Sequence, residues 1–135
     1  MRADQNDRLT RVGPGTPAGQ LLRRYWQPVA LLDEFDERLD PRMAHRQVKA
    51  VRVLGQDLVL FKDGQGRFGL LDRDCPHRGA DLSFGRGEAD GLRCPFHGWK
   101  FDVSGQCIET PAEPEGSRLC TRIRQKNYPL QSRAG

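Results

Sequence analysis

Two short segments constrain this chain more than anything else in it: Cys75-Pro76-His77-Arg78-Gly79-Ala80 and Cys94-Pro95-Phe96-His97-Gly98-Trp99. Each pairs one thiol with one imidazole on a stretch where Pro and Gly fix the backbone. The pattern is C-x-H, then the sixteen residues 78–93, then C-x-x-H. Two thiolates and two imidazoles at such short, matched spacings make a ready metal site. The polar first eleven residues lack the apolar core and small-residue cleavage site of a secretory signal, so four cysteines read as ligands or free thiols rather than a disulfide framework. The expected setting is cytoplasmic.

The order of the ligands bears on the metal. A structural zinc accepts two Cys and two His, but its familiar spacing places both Cys before both His. Here the order alternates, Cys75, His77, Cys94, His97. Alternation suits a [2Fe–2S] cluster in which each loop gives one ligand to each iron, with Cys75 and Cys94 on one and His77 and His97 on the other. A zinc module remains the alternative.

Around these motifs the chain reads as one mostly β domain. Its 135 residues are enough for a single core, and at 36% hydrophobic and 30% charged residues no apolar run is long enough to cross a bilayer. The net charge of +4 is spread among interleaved acids, with no basic run longer than Arg23-Arg24, which argues against nucleic-acid binding. Residues 1–15 read as a flexible leader and 16–130 as the domain. Thr16 as N-cap and Pro17 at the first helical position predict a short helix with Leu21, Leu22, Tyr25 and Trp26 packed on the core and Pro28 as its stop. An acidic surface stretch, 33–40, follows. Alternation over Val51 and Val53, a turn at Gly55-Gln56, the run Leu58 to Phe61, a turn at Asp63-Gly64-Gln65-Gly66 and the run Phe68 to Leu71 predict an antiparallel meander. Beyond Asp72, glycines punctuate short strands and long loops, with Gly79 and Gly98 serving tight turns at the ligands.

The two motifs, together with the run from Thr16-Pro17 through Trp26-Gln27-Pro28-Val29-Ala30, resemble the Rieske [2Fe–2S] domain of bacterial aromatic-ring-hydroxylating oxygenases, of the phthalate 4,5-dioxygenase type. The resemblance covers roughly residues 13–128. It implies small antiparallel sheets with two cluster-binding loops at one tip, and a cluster held by Cys75, His77, Cys94 and His97. It also implies electrons taken from a flavin- or ferredoxin-type reductase and passed to a separate mononuclear iron that activates O₂ on an aromatic substrate. Neither loop carries an additional Cys, and Trp99 rather than a hydroxyl donor follows Gly98. Few hydrogen bonds to sulfur place the expected potential near the low end, about −150 mV, of the Rieske range.

The remaining candidates have plainer readings. His45 reads as a surface side chain, Cys107 and Cys120 as buried or free thiols, and Trp99 as a shield over or beneath the cluster. Arg78, Arg86 and Lys100 border the loops, as docking charges for an acidic partner or as solvated charges. A mononuclear iron site needs two His and a carboxylate, and once His77 and His97 are assigned only His45 remains, so these residues alone cannot form the hydroxylating centre. The segment Tyr128-Pro129-Leu130 passes into the tail 131–135 where the family continues into a further strand, so an exposed strand edge is expected, with either marginal stability or association between copies as its consequence. The chain then reads as an oxygenase's electron-transfer domain without its catalytic domain, or as a free-standing Rieske carrier.

Overall fold

The computed structural model describes residues 1–44 and 46–133. His45 therefore lies outside the described residues, as do the last two residues of the tail. Two four-stranded antiparallel sheets carry the architecture, as the sequence predicts. The first is ordered β1 (Val48–Val53), β2 (Gln56–Lys62), β3 (Phe68–Asp72) and β8 (Asn127–Tyr128). The second is ordered β4 (Arg86–Glu88), β5 (Gly91–Arg93), β6 (Lys100–Phe101) and β7 (Cys107–Glu109). Three short helices, α1 (Ala3–Thr10), α2 (Pro17–Leu22) and α3 (Leu119–Arg122), lie outside the sheets.

The unbroken run Leu58-Val59-Leu60-Phe61 is buried on both faces of β2, which is what a strand covered on two sides requires. Val59 and Phe61, with Val48 and Leu71, face the second sheet and join Leu82, Leu92 and Phe101 there. Leu58 and Leu60, with Val51 and Leu70, face the opposite way onto Phe35 and Met43. The register makes this consistent, since Val48 pairs with Phe61, Val51 with Leu58, and Leu60 with Leu70. Phe61 also pairs with Gly69, and its ring fills the space a side chain there would need. The β1–β2 turn falls at Leu54-Gly55, both in the left-handed region. The β2–β3 turn is held by buried Asp63, whose carboxylate accepts from the Gln65 and Arg67 N–H groups and from Arg67 Nε.

The N-terminal expectations need correction. Thr16 does cap α2, accepting from the Gly19 N–H at 3.2 Å, but the helix ends at Leu22, well before Pro28. Leu21, Leu22, Tyr25 and Trp26 are exposed rather than packed in the core, with Tyr25 at 66% and Trp26 at 60%. The anchored face is the one carrying Gly19 and Arg23, four residues apart. Gly19 lies against the Val12 and Gly13 carbonyls, and the Arg23 guanidinium donates to the Val12 and Leu54 carbonyls and to Gln56 Oε1. Part of the leader forms α1, none of whose residues is buried.

A lattice of charges ties the second sheet together. Glu88 on β4 accepts from Arg93 Nε at 2.7 Å and Arg86 Nε at 3.0 Å, and Lys100 Nζ lies 2.9 Å from Asp90 and 3.0 Å from Glu109. The Arg93 and Arg86 guanidiniums hold the Glu88 carboxyl down at about 2, well under its ordinary 4.5. A carboxyl depressed on folding contributes stability that is whole above the unfolded value and is lost as pH falls toward the folded one. Because the group is partly open to solvent, the contribution is about 1–2 kcal/mol. Glu88→Gln is therefore expected to lower the denaturant midpoint at pH 6, and the gap from the parent protein should narrow steadily between pH 4.5 and 3. For the core, Phe101→Ala is expected to cost about 3–5 kcal/mol in urea unfolding, whereas Phe84→Ala, at a site 70% exposed, should change stability by no more than about 0.5 kcal/mol.

Candidate metal centre

Loop 1 spans 73–85, between β3 and β4, and carries Cys75 and His77. Loop 2 is Cys94–Trp99, between β5 and β6. The two cysteines open turns of the same kind, one in each loop. The Cys75 N–H donates to the Ala80 carbonyl at 2.8 Å and the Gly79 N–H returns to the Cys75 carbonyl at 2.8 Å. In loop 2 the Cys94 N–H donates to Trp99 at 2.8 Å and the Gly98 N–H returns to Cys94 at 3.2 Å. Each turn closes only with a left-handed residue four positions after the cysteine, and Gly79 (φ 67°) and Gly98 (φ 75°) supply it. Nothing crowds Gly79, so its conformation alone demands glycine, while Gly98 also packs against the Pro111 ring.

These turns set the four sequence-predicted ligands in two unlike pairs, Cys75 beside Cys94 and His77 beside His97. The thiols belong to the core, with Cys75 2% and Cys94 4% exposed. The imidazoles sit outside them, His77 half-buried and His97 exposed, their ring centres 4.7 Å apart. Trp99, itself buried, stacks flat on His77 at 4.3 Å with a 9° tilt, and exposed Phe96 leans on His97 at 3.9 Å. Among the described residues, no three Cys, His, Asp or Glu side chains converge as the ligands of a single ion would.

The donor chemistry fits an iron–sulfur group. Burial pushes the Cys75 thiol up to about 12, and the adjacent Cys94 adds to this, against the pull of the His77 and Arg78 N–H groups that point at the sulfur. Two buried thiols side by side ionise together only beside a concentrated positive charge, which a metal supplies. His77 is pushed down from its ordinary value by desolvation, then by His97 and Arg78, which favours the neutral imidazole that a metal ligand must be.

Two residues that no motif signals hold the loops in place. Buried Gln125 donates from Nε2 to the Asp72 and Asp74 carbonyls, each at 2.7 Å, immediately before Cys75. Arg93, immediately before Cys94, donates from Nη1 to the Gly98 carbonyl at 2.7 Å. Their partners lie 51, 53 and 5 residues away, so neither role shows as a sequence pattern. The bordering charges differ in kind. Lys100 is drawn into the carboxylates of the second sheet, Arg86 is held by Glu88, and Arg78 is exposed. Cys107 is buried and Cys120 half-buried, and no disulfide joins any of the four cysteines.

The likeness to known proteins follows the same geometry. The Rieske [2Fe–2S] domain model matches residues 26–129. The chain is 49% identical, over its whole length, to the 5,5'-dehydrodivanillate O-demethylase oxygenase subunit of Sphingobium sp., and 42% identical to the phthalate 4,5-dioxygenase oxygenase subunit of Pseudomonas putida. It spans 31% and 29% of those two proteins, so about a third of their length. Among solved structures, NdmA of Pseudomonas putida CBB5 superposes with a TM-score of 0.74 at 32% identity, over 86% of this chain and 34% of that one. The chain belongs to the Rieske [2Fe–2S] domain family, in the form carried by oxygenase subunits, and its cofactor is a Rieske-type [2Fe–2S] cluster.

Proposed function

We propose that Cys75 and Cys94 bind one iron of the cluster and His77 and His97 the other, and that residues 16–130 serve as the one-electron relay of an aromatic-ring oxygenase. The donor in this reading is a flavin- or ferredoxin-type reductase, and the acceptor is a mononuclear iron site in a catalytic domain. The observation that carries the reading is the asymmetry of burial. The thiols are almost completely enclosed, while the imidazoles form the surface of the same site. When bound, the cluster supplies storage for one electron, biased toward the iron whose neutral imidazole ligands leave it electron-poor.

The chain's own groups do the rest. The His77 and Arg78 N–H groups face the Cys75 sulfur and favour its thiolate form. Trp99 fixes the plane of the His77 ring by stacking. Phe96, exposed and leaning on exposed His97, sets apolar surface beside the imidazole, so that a partner docking there meets its edge with less water between. Arg78, beside them, gives that face a positive charge. A cytoplasmic setting agrees with four unbridged cysteines, and no helix among the described residues is long and apolar enough to cross a membrane.

The chain purified without oxygen and reduced with dithionite is expected to give the rhombic, low-average-g EPR signal of a His-ligated cluster, with two irons and two sulfides. His77→Ala and His97→Ala should abolish or change that signal, and Cys75→Ser and Cys94→Ser should lose the iron. Cys107→Ala and Cys120→Ala should keep it. Zinc in place of iron, or an unchanged spectrum in either His variant, would overturn the assignment. Potentiometric titration should place the midpoint near the low end of the Rieske range, at about −150 mV. For docking, Arg78→Glu should slow reduction by the reductase about three- to tenfold at low ionic strength and less at high salt. Arg86→Glu should do less, because Glu88 already engages that side chain.

A further inference from the structure

Arg93 occupies an unusual place among the charges of the second sheet. Its side chain is only 18% exposed, and each corner of the guanidinium is engaged. Nε donates to Glu88 on β4 at 2.7 Å and Nη2 donates to Glu109 on β7 at 2.6 Å. Nη1 donates to the Gly98 carbonyl at 2.7 Å. Two of these contacts anchor the group to the sheet, and the third reaches the loop. The carbonyl it holds lies between two residues that matter: His97 precedes Gly98, and Trp99, which stacks on His77, follows it. The same glycine closes the turn around Cys94 through its N–H and is left-handed, so its peptide has few other ways to lie.

We infer that Arg93 is a positioning residue for the cluster: by clamping the Gly98 carbonyl to Glu88 and Glu109 it sets the orientation of loop 2, and with it the His97 ring and the Trp99–His77 stack. The inference rests on the ligand assignment proposed above. The geometry calls for arginine specifically, since a planar fork reaches three acceptors at fixed angles where a lysine ammonium is a single mobile point charge. Lys100 already supplies such a charge to Glu109 and Asp90, so charge alone does not explain the residue at 93. Nor does burial alone, because the carbonyl it satisfies belongs to the ligand loop and not to the sheet.

The experiment compares the parent protein with Arg93→Gln and Arg93→Lys, all isolated with their cluster. Iron and sulfide content and the EPR spectrum of the parent test the ligand assignment by themselves. Hydrogen exchange read by mass spectrometry on peptides covering 94–99 and 75–80 then tests Arg93. In Arg93→Gln, exchange in 94–99 should be at least tenfold faster while 75–80 stays within twofold, and the EPR g-values should shift. Arg93→Lys should behave as Arg93→Gln does. Equal acceleration in both loops with parental g-values would mean a general stabilising role, and parental behaviour in Arg93→Lys would mean that charge suffices. Either result overturns the inference. Should Arg93→Gln fail to fold, Glu109→Gln, which loosens one anchor and leaves the arginine, is expected to give a smaller acceleration confined to 94–99. No selective change in that variant would equally overturn it.

Discussion

Everything at the metal end of this domain depends on two thiols being held side by side inside the core, where each alone is costly to ionise. Burial drives the Cys75 thiol upward, and the neighbouring Cys94 makes ionisation harder still. A pair arranged in this way is tuned to a cationic partner and is poorly suited to anything else. The surrounding fold consequently has one main task. It must fix two loops, one leaving each sheet, closely enough that their sulfurs stay adjacent whatever the charge between them. The core supplies part of that constraint, since Leu82, Leu92 and Phe101 are fully buried against Val59, Phe61 and Leu71 beside the cysteines.

Apolar packing is not directional, however, and the loops need direction. They obtain it from hydrogen bonds, and the two loops obtain it differently. Loop 1 is held by a neutral amide, buried Gln125, which donates to the Asp72 and Asp74 carbonyls just ahead of Cys75. Loop 2 lies beside a sheet rich in carboxylates, and a guanidinium can be kept there because Glu88 and Glu109 balance it. Removing either carboxylate would leave a half-buried positive charge less compensated, which is more damaging than never having placed it there. The charge lattice of the second sheet is in this sense part of the site.

How far the sequence discloses this arrangement follows from the range of each interaction. The candidate ligands and their glycines are legible because the turn that presents them is contained within six residues, and its chemistry repeats at Cys75 and Cys94. The strands are legible because a two-sided core leaves an uninterrupted apolar run, Leu58 to Phe61, between turn residues. Gln125 is not legible, because a glutamine becomes a clamp only when tertiary folding brings Asp72 and Asp74 to it. The misreading of α2 has a similar origin. Leu21, Leu22, Tyr25 and Trp26 have the spacing of a buried face, yet the helix is fastened through Gly19 and Arg23, whose backbone contacts leave no periodic apolar trace. Docking charges are ambiguous for the same reason, since Lys100 and Arg78 look alike until Asp90 and Glu109 are found beside the first.

An electron relay has two charge states and works fastest when its ligands move little between them. Preorganisation of this kind comes from groups whose hydrogen bonds are already satisfied and whose rotamers are already locked. Here the cysteine turns are closed by paired backbone bonds, the preceding residues are clamped or do the clamping, and His77 is pinned by a flat stack on a buried indole. The exposed His97, flanked by Phe96, is the part left open. Rigidity and access thus occupy opposite sides of the same site: the sulfur side is joined to the core and to the charge lattice, and the imidazole side, His97 above all, is open to solvent. A fold that loosened the sulfur side to gain exposure would surrender the fixed geometry, and one that buried the imidazoles would lengthen the path to any acceptor. With the ligands proposed above, the division into two buried thiols and two more open imidazoles satisfies both demands.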